Sequence, residues 1–313
     1  MSTQERWIPD ASALNAFREN PEMFRLKYRL HLSHPAPEFK MDAGSAIHAA
    51  RNVLFSGGTL EEAVAQARAI RGPVEGPRNA DQVEALVRAY AARYPRAEEE
   101  FSVVCSEEYA EALIQLPCAS CGMGNVCGQC IHFDYCGILD SVVRFPDGSE
   151  YVMDLKTTGS YLNDGWFTMM SLSDQMTGYV AIRRALGHRC DGYIVDGVHV
   201  NDYVPKGKTT PNIDLAKDFV RFGPVRVPEW RIERWARDVV YTLGQIAELE
   251  RTRGIEAPWP LYQNWPYGKV DAFREFYEQP AELHGQVAQL FEKRTWDPRA
   301  VAEGRAYTVE PKA

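Results

Sequence analysis

No run of about 18 apolar residues occurs anywhere in the chain, which argues against a membrane-spanning helix. The opening segment, Met1 to Asp10, is polar and has no apolar signal core. The expected location is therefore the cytoplasm, with no membrane partner. A basic surplus is missing too: 35 Lys and Arg face 43 Asp and Glu, for a net charge of −8. A protein that coats nucleic acid needs cations to neutralise phosphates, so that class is disfavoured. A local basic groove beside acidic metal ligands remains compatible with this balance. Internal repeats and low-complexity linkers are absent, and no cysteine follows Cys190. In a reducing compartment the seven cysteines do not form a disulfide framework.

What is present is ordinary globular material, 45% hydrophobic and 25% charged over 313 residues. Apolar spacing predicts helices over residues 12–30 (with Ser12 as N-cap), 43–54, 60–70 and 81–94. The character then changes. Residues 101–116, 132–145 and 150–157 are rich in Val, Ile, Tyr and Phe and predict strands. A helix over 173–186, a strand over 192–200, a long helix over 229–251 and a final helix over 281–293 complete the pattern. This order gives an α/β or α+β single domain spanning 1–313.

The segment 138–156 carries the most chemistry. Pro146-Asp147-Gly148 is a turn signal. Read as a three-residue loop with Gly148 left-handed, it pairs Phe145 with Ser149 and sets Asp140 opposite Asp154. Like charges so placed repel unless a cation sits between them, and carboxylate oxygens are the preferred ligands of Mg²⁺. Alternation puts Lys156 on the face of Asp154 and turns Tyr151, Met153 and Leu155 to the other. Two carboxylates and a lysine around one metal suit phosphodiester hydrolysis. The other reading of this hairpin is a surface Asp–Lys ion pair.

These residues resemble a known family. Ile138-Leu139-Asp140 followed by Asp154-Leu155-Lys156-Thr157-Thr158 resembles the PD-(D/E)XK nuclease superfamily, specifically its RecB-type exonuclease branch. Three further segments match in order: residues 12–28 resemble its opening helix, Gly44 to His48 its GxxxH motif, and Gln175 to Tyr179 its QxxxY motif. The resemblance implies a restriction-endonuclease-like core, a mixed β-sheet flanked by helices. It implies a Mg²⁺- or Mn²⁺-dependent DNA exonuclease acting on a free or single-stranded end, in recombination, repair or phage DNA processing, with a possible recombination partner protein. Asp140, Asp154, Lys156, Gln175 and Tyr179 would be catalytic. His48, Glu107, Asp140, Asp154 and Leu155 would hold the metal. Glu107 and Glu108 compete for one role; adjacent strand residues face opposite ways, and Glu107 is assigned. A weakly catalytic DNA- or protein-binding module on the same fold is the alternative. Many members of the branch hold an iron–sulfur cluster on one early and three late cysteines. Asn20 stands at the early position here, so no cluster is expected.

Cys118, Cys121, Cys127 and Cys130 form two CxxC pairs five residues apart, the spacing of a tetrahedral structural Zn²⁺ site. Residues 117–131 are thus expected to be a zinc-binding insert, separate from the hydrolytic centre. Candidate phosphate contacts are Arg25, Lys27, Arg29, Arg183, Arg184, Lys206 and Lys208. Trp259, Trp265 and Tyr267 are candidates either for stacking on bases or for core packing.

Overall fold

A computed structural model describes residues 7–33, 39–71, 79–118, 130–201, 205–208, 210–262, 270–294 and 297–302. In chain order the main elements are α1 (Ala11–Glu19), α2 (Pro21–Phe24), β1 (Leu32–Ser33), α3 (Phe39–Phe55), α4 (Leu60–Arg71), α5 (Ala80–Arg93), β2 (Ser102–Gln115), β3 (His132–Arg144) and β4 (Glu150–Thr158). Then come α6 (Asp164–Ser171), α7 (Asp174–Ala185), β5 (Gly192–His199), β6 (Phe219–Arg226) and α8 (Glu229–Arg253), followed by short turns of helix and a two-residue strand β7 (Glu292–Lys293). Among the described residues no helix is long and apolar enough to cross a membrane.

Five strands form one mixed sheet in the order β2-β3-β4-β5-β6. β3 and β4 are an antiparallel hairpin, β4 and β5 run parallel, and β5 and β6 run antiparallel. The parallel pair is joined through α6 and α7, the crossover that a parallel connection requires.

The chain groups into two compact units. One comprises residues 38–108 and 139–228, the other residues 1–37, 109–138 and 229–313. In the first, one face of β4 and β5 carries two clusters that succeed each other along the strands. Leu155 and Val198 pack with Ile47 of α3 and with Leu86 and Tyr90 of α5, while Tyr151, Met153 and Ile194 pack with Phe55 and Phe101. Met176, Val180 and Ile182 of α7 are buried as well. In the second unit Phe17, Phe24, Tyr28 and Trp259 form an aromatic cluster. Trp259 is therefore a core residue, whereas Trp265 and Tyr267 lie outside the described residues.

The helix expected over 12–30 is interrupted. Asp10, not Ser12, caps α1 by accepting from the Ala13 N–H at 2.8 Å. Asn20 then adopts an extended conformation and caps α2, whose first residue is Pro21. The helix expected over 281–293 resolves into three short turns and β7, which pairs with β1. Of the four cysteines expected to hold zinc, Cys121 and Cys127 lie outside the described residues. Cys118 and Cys130 are half-buried, near the point where the Leu116 N–H donates to the Ile131 carbonyl at 3.0 Å.

Candidate active site

The hairpin sets the geometry. Gly148 has φ +80°, the left-handed value that the turn requires. Phe145 N–H donates to Ser149 O at 3.0 Å, and the ladder runs Arg144 to Glu150, Val143 to Tyr151 and Val142 to Val152. Continuing that count puts Asp140 across from Asp154. The paired ladder, however, stops at Val142, and side chains take over beyond it. Ser141 Oγ donates to the Met153 carbonyl at 2.9 Å. Asp140 Oδ2 accepts the Leu155 N–H at 2.8 Å. The two side chains thus satisfy backbone groups that a continued ladder would have used.

Helix α3 delivers the histidine. A Cβ on Gly44 would lie 2.8 Å from Thr157 Oγ1, so glycine permits the close approach of α3 to β4. One turn later His48 Nδ1 lies 3.2 Å from Asp140 Oδ2. Burial, reinforced by Arg51 and Lys156, lowers the His48 pKa to about 4, although Asp154 and a hydrogen bond with the Leu155 backbone pull the other way. The imidazole is therefore neutral near pH 7 and can act as a ligand.

Glu107 completes a triad with them. It has φ +51° in the middle of β2, a conformation costing a non-glycine residue on the order of 1–3 kcal/mol. The kink breaks the strand's alternation at this residue. Ligand atoms of His48, Glu107 and Asp140 all lie within 4.8 Å of one another. Burial, then Asp140 and Asp154, push the Glu107 carboxyl up to about 7 against the opposing pull of Arg51. Glu108 is engaged elsewhere: Cys105 Sγ–H donates to its Oε2 at 2.8 Å, and Arg183 Nη1 lies 3.7 Å away.

Asp154 is fully buried, and its Oδ1 accepts no hydrogen bond. Its Oδ2 lies 2.8 Å from Lys156 Nζ. Burial raises the Asp154 pKa; Lys156 opposes that shift and Asp140 adds to it. Burial also works against the Lys156 charge, but Asp154 and Asp140 outweigh it and hold the ammonium above its ordinary range. An orphaned buried carboxylate oxygen, a neutral imidazole and a carboxyl displaced upward by burial and neighbouring carboxylates form a donor set that a cation would satisfy. Oxygen donors with one imidazole suit Mg²⁺ or Mn²⁺. The residues present fit the metal.

Comparison with known proteins then decides the family. The model of the PD-(D/E)XK nuclease superfamily matches residues 11–253. The chain belongs to that superfamily. Its members are typically hydrolytic nucleases that use divalent metals and act on DNA. No functionally curated protein matches the chain. Among solved structures it is similar to SSO0001, at 15% identity over 70% of this chain and 83% of that one, with a TM-score of 0.27.

The other residues singled out in the sequence fall as follows. Gln175 Nε2 donates to Tyr179 Oη at 2.7 Å, one turn apart on α7. Leu155 is buried, and its backbone touches the triad on both sides, through Asp140 and through His48. Several candidate phosphate contacts are engaged internally. Arg25 pairs with Glu22, Arg29 with Glu250 and Arg183 with Glu150, while Arg184 binds the carbonyls of Cys190 and Val227.

Sequence reasoning missed the buried charges behind the site. Arg51, 2% exposed, donates to Ser141 Oγ at 3.2 Å. It lies 3.7 Å from Asp140 Oδ2 and 3.8 Å from Asp196 Oδ2. Asp196 is fully buried, accepts from the Tyr90 hydroxyl, and is 3.4 Å from Arg221 Nη2. The signals were visible: an arginine three residues after His48 on the same helix face, and one carboxylate inside the apolar run 192–200.

Proposed function

We propose that the protein is a Mg²⁺- or Mn²⁺-dependent DNA exonuclease of the RecB type that processes free DNA ends in recombination, repair or phage replication. The observation that carries this reading is Asp154, wholly buried with a free carboxylate oxygen and electrostatically coupled to Asp140, His48 and Glu107. His48, Glu107, Asp140, Asp154 and the Leu155 backbone would hold the cation. When bound there, a divalent cation supplies Lewis acidity to the phosphoryl group and to the attacking water.

The chain's own residues do the rest. Asp140 and Asp154 hold the negative charge in place. Lys156 is kept protonated by both carboxylates, and its remaining N–H donors can orient water or stabilise charge that develops on phosphate. Gln175 and Tyr179 form a hydrogen-bonded pair on α7 that can position the substrate strand. The four cysteines of 117–131 would hold one structural Zn²⁺ and take no part in hydrolysis.

The test is cleavage of linear and circular DNA with Mg²⁺, Mn²⁺ or EDTA. Asp154→Asn and Lys156→Ala are each expected to lower the rate by at least about a hundredfold while keeping the fold. Degradation of linear DNA with sparing of the circle supports an exonuclease. Full activity in either variant, or undiminished cleavage in EDTA, would overturn the assignment. Metal-independent DNA binding without cleavage by the wild type would favour the binding-module alternative.

A further inference from the structure

Just beyond Lys156 the chain builds a second feature on the same face of the sheet. Ser160 N–H donates to Thr158 Oγ1 at 3.0 Å and starts a turn after β4. Leu162 then folds over β5 at Gly197, where an added Cβ would lie 3.0 Å from Leu162 Cδ2. Between these two anchors Tyr161 is 76% exposed. It is nevertheless not loose: its ring centroid is 5.1 Å from that of His199, at an interplanar angle of 38°. His199 is buried, and its Nδ1 is 2.8 Å from Asp218 Oδ1. Asp218 in turn accepts the Asp214 N–H at 2.7 Å. The tyrosine thus meets a fixed imidazole in a tilted contact and is otherwise open to solvent.

Register locates this feature relative to Lys156. Lys156 pairs with Gly197 and Thr158 with His199, so all four lie on the sheet face that carries Asp154. His199 is two residues further along than the Lys156 position, about 6.6 Å by strand rise. That is about two base steps of a stacked strand. An aromatic held against a fixed imidazole and left mostly uncovered offers a surface on which an unpaired base can stack.

We infer that Tyr161, backed by His199 and Asp218, is a stacking subsite for one nucleobase of single-stranded DNA, within two nucleotides of the cleaved phosphate. The inference rests on the nuclease reading above and adds what that reading lacks, a residue that selects an unpaired end. Stacking is indifferent to base identity because every base has a π-face. The subsite therefore confers preference for single strands without preference for sequence.

The probe is a set of single-stranded thymidine oligonucleotides, one of them intact and the others with a single abasic nucleotide at successive positions from the end. Binding is measured in EDTA by fluorescence anisotropy. In the wild type, one abasic position is expected to weaken binding about thirtyfold, the middle of the range for stacking one base on one aromatic. Tyr161→Ala should bind intact and abasic strands alike, and Tyr161→Phe should restore the difference. Circular dichroism of Tyr161→Ala checks that the fold is kept; Tyr161→Trp, with quenching of its fluorescence by the intact strand only, provides a second readout. If Tyr161→Ala still discriminates, or if the wild type cleaves DNA yet shows no abasic penalty, the subsite is refuted and the nuclease reading stands. A wild type that neither binds nor cleaves overturns both.

Discussion

His48 and Glu107 sit in one cluster and should respond to pH with opposite sign. Burial and neighbouring carboxylates raise the Glu107 pKa from its ordinary 4.5 to about 7. Its contribution to stability is full below the unfolded value and is lost as pH climbs through the folded one. Burial and Arg51 lower the His48 pKa from 6.5 to about 4. Its contribution is full above the unfolded value and is lost as pH falls through the folded one. Between pH 5 and pH 8 each shift is worth about 2 kcal/mol by linkage, and somewhat less once solvent screening of partly exposed groups is allowed for. In the metal-free wild type the two largely cancel. Single substitutions separate them. Glu107→Gln, an isostere of the neutral acid, should gain about 1–2 kcal/mol over wild type on going from pH 5 to pH 8. His48→Gln should lose a similar amount over the same interval. Urea unfolding of the three proteins in EDTA at both pH values reads the differences directly. Excess Mg²⁺ should erase the Glu107→Gln advantage at the higher pH, because the wild-type carboxylate then has a cation to bind. Slopes of the same sign in both variants, or no slope in either, would refute the account of the cluster.

Arg51 is buried between Asp140 and Asp196. Removing its charge in Arg51→Leu leaves buried carboxylates uncompensated and should cost about 3–5 kcal/mol in urea unfolding, with Arg51→Lys recovering part of it; a neutral Arg51→Leu would show that the network is not holding the site. Elemental analysis should find about one zinc per chain, lost in a Cys118→Ser, Cys121→Ser double variant. Residues 117–131 should then become protease-sensitive while Mg²⁺-dependent cleavage persists. Abolition of cleavage in folded double variant would overturn the separation of zinc site and hydrolytic centre. Anaerobically purified protein should be colourless, and a brown chain carrying iron would contradict the reading of Asn20 and the cysteine-free C-terminal segment.

Where the sequence was legible, local chemistry dictated the outcome. The turn at Pro146-Asp147-Gly148 fixed the hairpin register because loop length and a left-handed glycine leave little choice, and the observed pairs follow the same count. Gly44 and His48, one turn apart, were readable only through their resemblance to the GxxxH motif. The errors in the fold were tertiary in origin. Asn20-Pro21 suits a helix start as well as a helix interruption, and only the extended Asn20 decides between them. β6 was missed because Gly223 and Pro224 lie within it. Proline is excluded from central strands but tolerated at an edge, and β6 is an edge strand of the sheet.

The site was legible as far as its carboxylates and lysine, and illegible in what supports them. Asp196 joins Arg51 and Tyr90 only because β5 lies parallel to β4 with Leu155 beside Asp196. Strand-to-strand register across a helical crossover leaves no short-range trace in sequence, unlike the register of a tight hairpin. The left-handed Glu107 is a similar case. Alternation alone says that Glu107 and Glu108 face opposite ways. The kink at φ +51° is what brings Glu107 within reach of His48 and Asp140, and a strained residue of this kind persists only when surrounding structure over-determines it. A cluster that holds a strained backbone and an unpartnered buried carboxylate oxygen together carries unfavourable energy. A divalent cation held there, as proposed above, would relieve the electrostatic part of it, so the features least favourable to folding are those that the proposed metal would use.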